Sequence, residues 1–274
     1  NKKGDIVKAI YNSLPFELTQ SQINVLKEIR GDLSDSKSMN RLLQGDVGCG
    51  KTIVAIMASG IIIENNAQVA ILAPTEILAE QHYKSFKKHF DKVGIQVGLL
   101  VGKMKRKDKE SLINQVVNSK INIVVGTHAL LQENVKFKDL GLVIIDEQHR
   151  FGVGHRKQIM DKGYNPDILS MTATPIPRTL AITIHGDMDI SIIDELPKNK
   201  ASISTKVISQ SKIKTTYKND RHQKTKEGRC LLCAFTQRQN VKGRLDHRTG
   251  KSPLHTELTR TLCKLGYRGN VWSG

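Results

Sequence analysis

Residues 45–52 have the composition and spacing of a loop that binds the phosphates of a nucleotide. They read Gly-Asp-Val-Gly-Cys-Gly-Lys-Thr and fit the pattern G-x-x-x-x-G-K-[ST]. Backbone N–H groups can surround phosphate oxygens only where no side chain intrudes, which explains Gly45, Gly48 and Gly50. Lys51 would reach the outer phosphates, and the Thr52 hydroxyl would bind Mg²⁺. The alternative, a glycine-rich turn before a helix, would match the whole pattern only rarely.

An acidic pair follows directly after an apolar run further along the chain. Residues 143–145 are Val-Ile-Ile, and Asp146 and Glu147 come next. A carboxylate at the end of a buried strand could hold Mg²⁺ beside the phosphate loop, and its neighbour could orient or deprotonate an attacking water. The alternative is a solvated acidic pair at a strand end. The phosphate loop upstream favours a catalytic pair that acts together with Lys51.

Short apolar runs alternate with segments of helical spacing, which predicts an α/β fold. Predicted strands cover residues 42–44, 68–72, 97–101, 121–125, 142–145 and 168–171. Predicted helices cover residues 52–63, 75–90, 106–118 and 4–30, the last with a break at 14–16 and Thr19 as an N-cap. Continuous apolar strands joined by helices indicate a parallel sheet covered on both faces. Every motif follows a strand, so we expect all of them to meet at one edge of the sheet.

The composition limits the class of protein. No run of 18 apolar residues occurs, so we expect no membrane span and a cytoplasmic protein. The net charge of +17 favours a polyanionic partner such as a nucleic acid. Residues 211–274 hold 15 Lys and Arg against 4 Asp and Glu, however, so most of the excess charge lies far from the phosphate loop.

The acidic pair belongs to a longer match with known helicases. Residues 146–153, Asp-Glu-Gln-His-Arg-Phe-Gly-Val, resemble the second motif of superfamily-2 helicases in the form found in the RecG group. The resemblance covers most of residues 12–210, with further motifs at 14–22, 43–48, 73–79, 126–130, 172–179 and 189–197. The motor of the transcription-repair coupling factor is a similar alternative, but Gln148 and residues 194–197 favour RecG. Cys49 stands where the family usually has serine, and we expect this difference to have little effect on phosphate binding, because the side chain need not touch phosphate.

The resemblance implies the RecA-like, three-layer fold of P-loop NTPases. It implies ATP and Mg²⁺ as cofactors and branched or single-stranded DNA as the partner, in DNA recombination and repair. Residues 1–30 would be an N-terminal helical segment with the adenine-recognition motif, and residues 31–200 the ATP-binding domain. Residues 201–274 would be a linker and basic tail.

The resemblance also assigns roles to individual residues. Gln22 would read the adenine edge, with Phe16 stacking or packing nearby; the alternative for Gln22 is an exposed helical side chain. The DNA backbone would be bound by Thr75, Gly126 and Thr127, although both threonines could instead be helix N-caps. His149 would couple the two sites or serve only as a structural residue. The nucleotide state would be linked to strand movement by Thr172 and Thr174.

The end of the chain departs from the family pattern. The resemblance stops near residue 211, after which three of the four cysteines and many Lys and Arg follow without a clear apolar period. We favour a frameshifted translation of the family's next segment, which would leave residues 211–274 disordered. The alternatives are a basic nucleic-acid-binding tail and a zinc site formed by Cys230, Cys233 and Cys263 with His247 or His255. The other reading frames of the gene downstream of codon 210 would decide between them.

Helicase motors of this class use a second RecA-like domain, which supplies arginines to the ATP site. The chain ends before such a domain, so we expect ATP binding, weak or absent hydrolysis and no unwinding by this chain alone. A separately encoded second half is a candidate partner. The alternative is a non-catalytic module that binds ATP and nucleic acid, which leaves open whether the chain is an enzyme. Robust DNA-stimulated ATP turnover by the purified chain would contradict the expectation.

Overall fold

Seven parallel strands form the centre of the part of the chain that the computed structural model describes, residues 4–174 and 188–197. The strands are β1 (Asn40–Gly45), β2 (Gln68–Leu72), β3 (Val97–Leu100), β4 (Ile123–Gly126), β5 (Leu140–Asp146), β6 (Asp167–Thr172) and β7 (Asp189–Ile193). Their order across the sheet is β3-β4-β2-β5-β6-β1-β7, and every neighbouring pair is parallel. The predicted α/β fold with a parallel central sheet is therefore confirmed.

Helices cover both faces of this sheet. They are α1 (Asp5–Asn12), α2 (Gln20–Asp32), α3 (Lys51–Glu64), α4 (Glu76–Phe90), α5 (Arg106–Val117) and α6 (Val153–Met160). Successive residues of a strand point to opposite faces, so in β5 the pair Leu142 and Ile144 joins one core and the pair Val143 and Ile145 joins the other. The first core contains buried residues of α1 to α4, and the second contains those of α5 and α6. The result is the expected three-layer arrangement.

Most predicted elements agree with the structure, with differences at their ends. Thr19 is the N-cap of α2, as expected, and α2 continues one residue past Gly31, where a loop was predicted to begin. Two elements, α6 and β7, were not predicted. β7 is a short strand at the edge of the sheet, paired with β1, and its residues alternate between buried and more exposed positions. Such a short alternating run is weaker in sequence than the continuous apolar runs of the central strands.

A buried arginine ties α2 to two strands. Arg41 in β1 donates to both carboxylate oxygens of Asp32, at 2.6 and 3.1 Å, which explains why α2 extends to that residue. Its guanidinium also donates to the Ser191 hydroxyl in β7 at 2.8 Å and to Glu28 in α2 at 3.3 Å. The Ser191 hydroxyl donates to Glu28 in turn. The planar guanidinium therefore links α2 to both β1 and β7.

The beginnings of β1 and β6 are joined by reciprocal bonds. The Met39 N–H donates to the Asp167 carboxylate at 2.7 Å, and the Ile168 N–H donates to the Met39 carbonyl at 2.7 Å. Burial raises the pKa of the Asp167 carboxyl above its usual value, and the Met39 N–H opposes this shift. These bonds fix the register of the two strands from the end of the sheet that lies opposite the predicted motifs.

In the part of the chain that the structure describes, no helix is both long enough and apolar enough to span a membrane. Several predictions fall on other residues. The predicted zinc ligands, the predicted disorder of the tail and the second half of the motif at residues 172–179 lie outside the described residues.

Two glycines provide a matched test of the packing. A methyl group at Gly126 would overlap the Leu100 carbonyl oxygen, which the sheet holds in place. We expect Gly126→Ala to lower the free energy of unfolding by about 3 kcal/mol. Gly31 lies in α2 with open space around it, so Gly31→Ala is expected to raise that free energy by about 0.5 kcal/mol. Urea unfolding of both variants, with unchanged m-values, measures the difference, and equal stabilities would contradict the packing around Gly126.

Candidate nucleotide-binding site

The phosphate loop connects the end of β1 to the start of α3, as predicted. Gly48 and Gly50 have φ angles of 81° and 96°, which lie in the left-handed region that favours glycine. Gly50 is the N-cap of α3, so the positive end of the helix dipole points into the loop. The Lys51 ammonium donates to the carbonyl oxygens of Gly45 at 2.7 Å and Asp46 at 3.1 Å. The Lys51 ammonium therefore lies against the loop, next to the place where the phosphates would bind.

The surroundings of the glycines show why no side chain is possible there. A methyl group at Gly45 would lie 2.6 Å from the Cys49 sulfur and 2.9 Å from the Ile193 carbonyl oxygen. A methyl group at Gly50 would overlap the side-chain amide of Gln22. Cys49 itself is buried among apolar residues, and its expected small effect on phosphate binding stays a prediction.

Gln22 lies against the phosphate loop. Its side-chain oxygen accepts the Thr19 N–H at 3.0 Å, and the Gln22 N–H donates to the Thr19 hydroxyl at 3.2 Å, which completes a capping box. Its amide nitrogen donates to the Cys49 carbonyl at 2.7 Å. Gln22 is only 2% exposed, so the alternative of an exposed helical side chain is wrong. Phe16, its predicted companion in adenine recognition, is exposed.

The acidic pair lies at the end of β5, one strand away from β6 and two from β1. Asp146 is hydrogen-bonded through one carboxylate oxygen to His82 Nε2 at 2.7 Å and through the other to the Glu147 N–H at 3.1 Å. Glu147 has a φ of 48°, a left-handed conformation that is strained for a residue with a side chain. Its buried Oε2 accepts no hydrogen bond and lies 3.5 Å from His149 Nδ1. Strained backbone and an unsatisfied carboxylate oxygen are features of functional sites.

The predicted coupling residues lie beside this pair. Gln44, which precedes the phosphate loop, is level with Thr172 across β1 and β6, and Met171 is level with Asp146 across β6 and β5. The Thr172 hydroxyl is within 2.8 Å of the Thr174 hydroxyl and accepts the Thr174 N–H at 3.2 Å. The sheet thus brings the phosphate loop, the acidic pair and the two threonines to one edge, as the sequence predicted.

The predicted DNA-binding residues lie at or after the ends of β2 and β4, on the other half of the same edge. Thr75 is exposed, and its hydroxyl accepts the Leu78 N–H at 3.3 Å, so it is an N-cap of α4. Thr127 is buried and makes no side-chain capping bond. The Gly126 carbonyl accepts the Ala73 N–H at 2.9 Å. Close packing against the Leu100 carbonyl oxygen is a structural reason for a glycine at this position. DNA binding by the three residues stays a prediction.

The donor groups at this edge suit ATP and Mg²⁺. Backbone N–H groups of a side-chain-free loop at a helix N-terminus bind phosphate, and a hydroxyl with a carboxylate binds Mg²⁺. Thr52, in the first turn of α3, and Asp146 would supply these two ligands. The Glu147 side chain is 26% exposed, so a water molecule can reach its carboxylate, although Oε2 itself is buried.

Sequence reasoning missed one residue of the site, His82. It lies in the helix predicted over residues 75–90, four residues from both Leu78 and Phe86, and this spacing is typical of one face of a helix. A histidine on such a face was a signal that a polar partner lies nearby. The sequence did not show that this partner is Asp146, because the contact joins residues 64 positions apart.

A parallel α/β sheet with a glycine-rich phosphate loop after one strand and an acidic pair after another defines a P-loop NTPase domain with the RecA-like helicase fold. The model of the DEAD/DEAH box helicase family matches residues 19–182, and the chain belongs to that family.

The RecG resemblance is confirmed by individual relatives. An ATP-dependent DNA helicase RecG from Aquifex aeolicus (strain VF5) is 51% identical over 213 residues, 77% of this chain and 27% of the relative. RecG from Bacillus subtilis (strain 168) is 54% identical over 193 residues, 70% of this chain and 28% of the relative. A solved structure of RecG bound to a three-way DNA junction superposes with a TM-score of 0.70 at 43% identity, over 80% of this chain and 29% of that one. The chain spans less than a third of the length of each.

Gln22→Glu tests what the buried amide does. The carboxylate keeps the bond from the Thr19 N–H but faces the Cys49 carbonyl without a donor. We expect the affinity for a fluorescent GTP analogue to fall about tenfold, because the loop loses a buried hydrogen bond. The affinity for the matching ATP analogue should fall further if Gln22 also reads adenine.

Gln20→Glu, which changes an exposed residue of the same helix, is the matched control and should bind like the wild type. If Gln22→Glu lowers the affinity for the ATP analogue alone, Gln22 does not support the loop. If it lowers the affinities for both analogues equally, Gln22 does not read adenine.

Proposed function

We propose that this chain is the ATP-binding motor domain of a RecG-like DNA helicase that remodels branched DNA. The observation that carries the proposal is the meeting of the phosphate loop, Asp146, Glu147 and Thr172 at the ends of three adjacent strands. The proposal draws further support from the family match and from the RecG relatives.

On the nucleotide side, the loop and the helix dipole of α3 hold the phosphates, and Lys51 neutralises their charge. Thr52 and Asp146 would hold Mg²⁺, which would stabilise the negative charge that develops on the transferred phosphate. Glu147 accepts a hydrogen bond from the attacking water and orients it. Phe16 and Gln22 face the adenine, and Gln22 also supports the loop through Cys49.

On the DNA side, Thr75, Gly126 and Thr127 lie at the carboxyl ends of β2 and β4. The exposed Thr75 hydroxyl suits the phosphates of a DNA strand, which carry no sequence information, whereas the Thr127 N–H already donates to the Leu100 carbonyl at 3.4 Å. RecG in the solved structure is bound to a three-way DNA junction, and we propose branched DNA as the partner of this chain too.

Coupling between the two sides depends on short contacts near the acidic pair. Thr172 and Thr174 are bonded to each other beside β1, and His149 lies close to the Glu147 carboxylate. A change in how Glu147 is bonded therefore reaches His149 directly. We propose that Thr172, Thr174 and His149 couple the state of the bound nucleotide to the DNA-binding residues.

Lys51→Ala tests the nucleotide site. We expect the affinity for a fluorescent ATP analogue in the presence of Mg²⁺ to fall about 10- to 100-fold, because a charge-assisted hydrogen bond to phosphate is lost. Lys8→Ala, at an exposed position in α1, is the matched control and should leave the affinity unchanged. Equal affinities of wild type and Lys51→Ala would contradict the proposal.

Phosphate release in the presence of three-way-junction DNA separates a motor from a non-catalytic binding module. Slow phosphate release that the junction stimulates and that disappears in Glu147→Gln, while analogue binding persists, supports the motor. Release that the junction leaves unchanged and that persists in Glu147→Gln supports the module.

A further inference from the structure

A buried histidine holds the carboxylate that we assign to Mg²⁺. His82 Nε2 lies 2.7 Å from an oxygen of Asp146, and His82 is 8% exposed. The Asp146 side chain is 13% exposed, so water competes little for this bond. None of the roles assigned so far to the phosphate loop, the acidic pair or the DNA-binding residues uses His82.

The position of His82 follows from the topology of the sheet. α4 begins just after β2, and β2 is paired with β5 so that Leu72 is level with Ile145. The second turn of α4 therefore passes beside the end of β5, where Asp146 lies. Ala79 and Phe86, which share the buried face of α4 with His82, hold the helix against the sheet.

The bond restricts how the carboxylate can turn. One oxygen of Asp146 accepts the Glu147 N–H at 3.1 Å and the other is bonded to His82, so both oxygens have a partner in the protein. A carboxylate oxygen accepts this bond from the His82 tautomer that carries its proton on Nε2. Each oxygen has a further lone pair for a cation or its bound water. The carboxylate is therefore held in one orientation before a cation binds.

A purely structural explanation is also consistent with burial, since a buried histidine needs a hydrogen-bond partner. The two explanations differ in what the loss of the bond would change. A structural histidine contributes to stability alone. A histidine that orients a metal ligand changes the Mg²⁺ concentration at which nucleotide binding tightens, because partners of metal ligands tune metal affinity.

We propose that His82 is a positioning residue that orients the Asp146 carboxylate for Mg²⁺. The inference rests on the proposed function, because it assigns Asp146 to the Mg²⁺ of a bound nucleotide.

His82→Gln and His82→Asn form a matched pair that tests the bond. The amide nitrogen of glutamine stands as many bonds from the backbone as His82 Nε2, whereas that of asparagine is one bond shorter and falls short of Asp146. The measurement is the affinity for a fluorescent ATP analogue over a series of Mg²⁺ concentrations and in EDTA. His89→Asn changes a histidine two turns further along α4, away from the site, and is the control.

We expect His82→Asn to raise the Mg²⁺ concentration needed for half-maximal tightening by about 10- to 100-fold. Its affinity in EDTA should equal that of the wild type, and His82→Gln and His89→Asn should behave like the wild type throughout. Should His82→Asn unfold, as judged by thermal unfolding, His82→Met fills the same space without a donor and takes its place.

Three outcomes would overturn the inference alone. They are an unchanged Mg²⁺ requirement in His82→Asn, an equal loss of affinity with Mg²⁺ and in EDTA, and an impairment of His82→Gln as large as that of His82→Asn. A wild-type chain that binds the analogue no better with Mg²⁺ than in EDTA would instead overturn the assignment of Mg²⁺ in the proposed function.

Discussion

The parallel register of β5, β6 and β1 is the constraint on which the whole site depends. Backbone pairing places Asp146, Met171 and Leu43 level with one another, so the residues that follow leave the sheet side by side. The strands are buried on both faces, and a slip of one residue would move every side chain to the opposite core. The bonds between Met39 and the start of β6 hold the same register from the far end. The positions of the site residues thus depend mainly on the pairing and packing of strands β1, β5 and β6 away from the site itself.

Much of this arrangement could be predicted because it depends on local patterns. The glycines of the phosphate loop, the acidic pair and the apolar strands are each encoded within a few residues, and parallel topology brings strand ends together. Contacts between distant segments could not be predicted. The pairing of His82 with Asp146 requires β2 and β5 to be neighbours, a fact of strand order that no local pattern contains. The left-handed backbone of Glu147 was equally invisible, because glutamate has no preference for that conformation.

Adjacent residues of α2 connect two distant parts of the domain. Gln22 bonds to the phosphate loop, whereas the Ser21 hydroxyl donates to the Ile192 carbonyl in β7 at 3.3 Å. The Ser21 N–H also donates to the Glu195 carboxylate at 3.2 Å, just beyond β7. With Arg41 binding α2 from β1, this helix is held on several sides. The helix α2 therefore supports both the phosphate loop and the segment that follows β7.

The N-terminal cap of α4 has a mechanical meaning. Thr75 caps the helix, and His82 follows seven residues later, a rise of about 10 Å over two turns. A continuous helix of this length neither stretches nor bends appreciably over two turns. A displacement of the exposed end of α4 would therefore be carried to His82, whose hydrogen bond joins the helix to the Asp146 carboxylate.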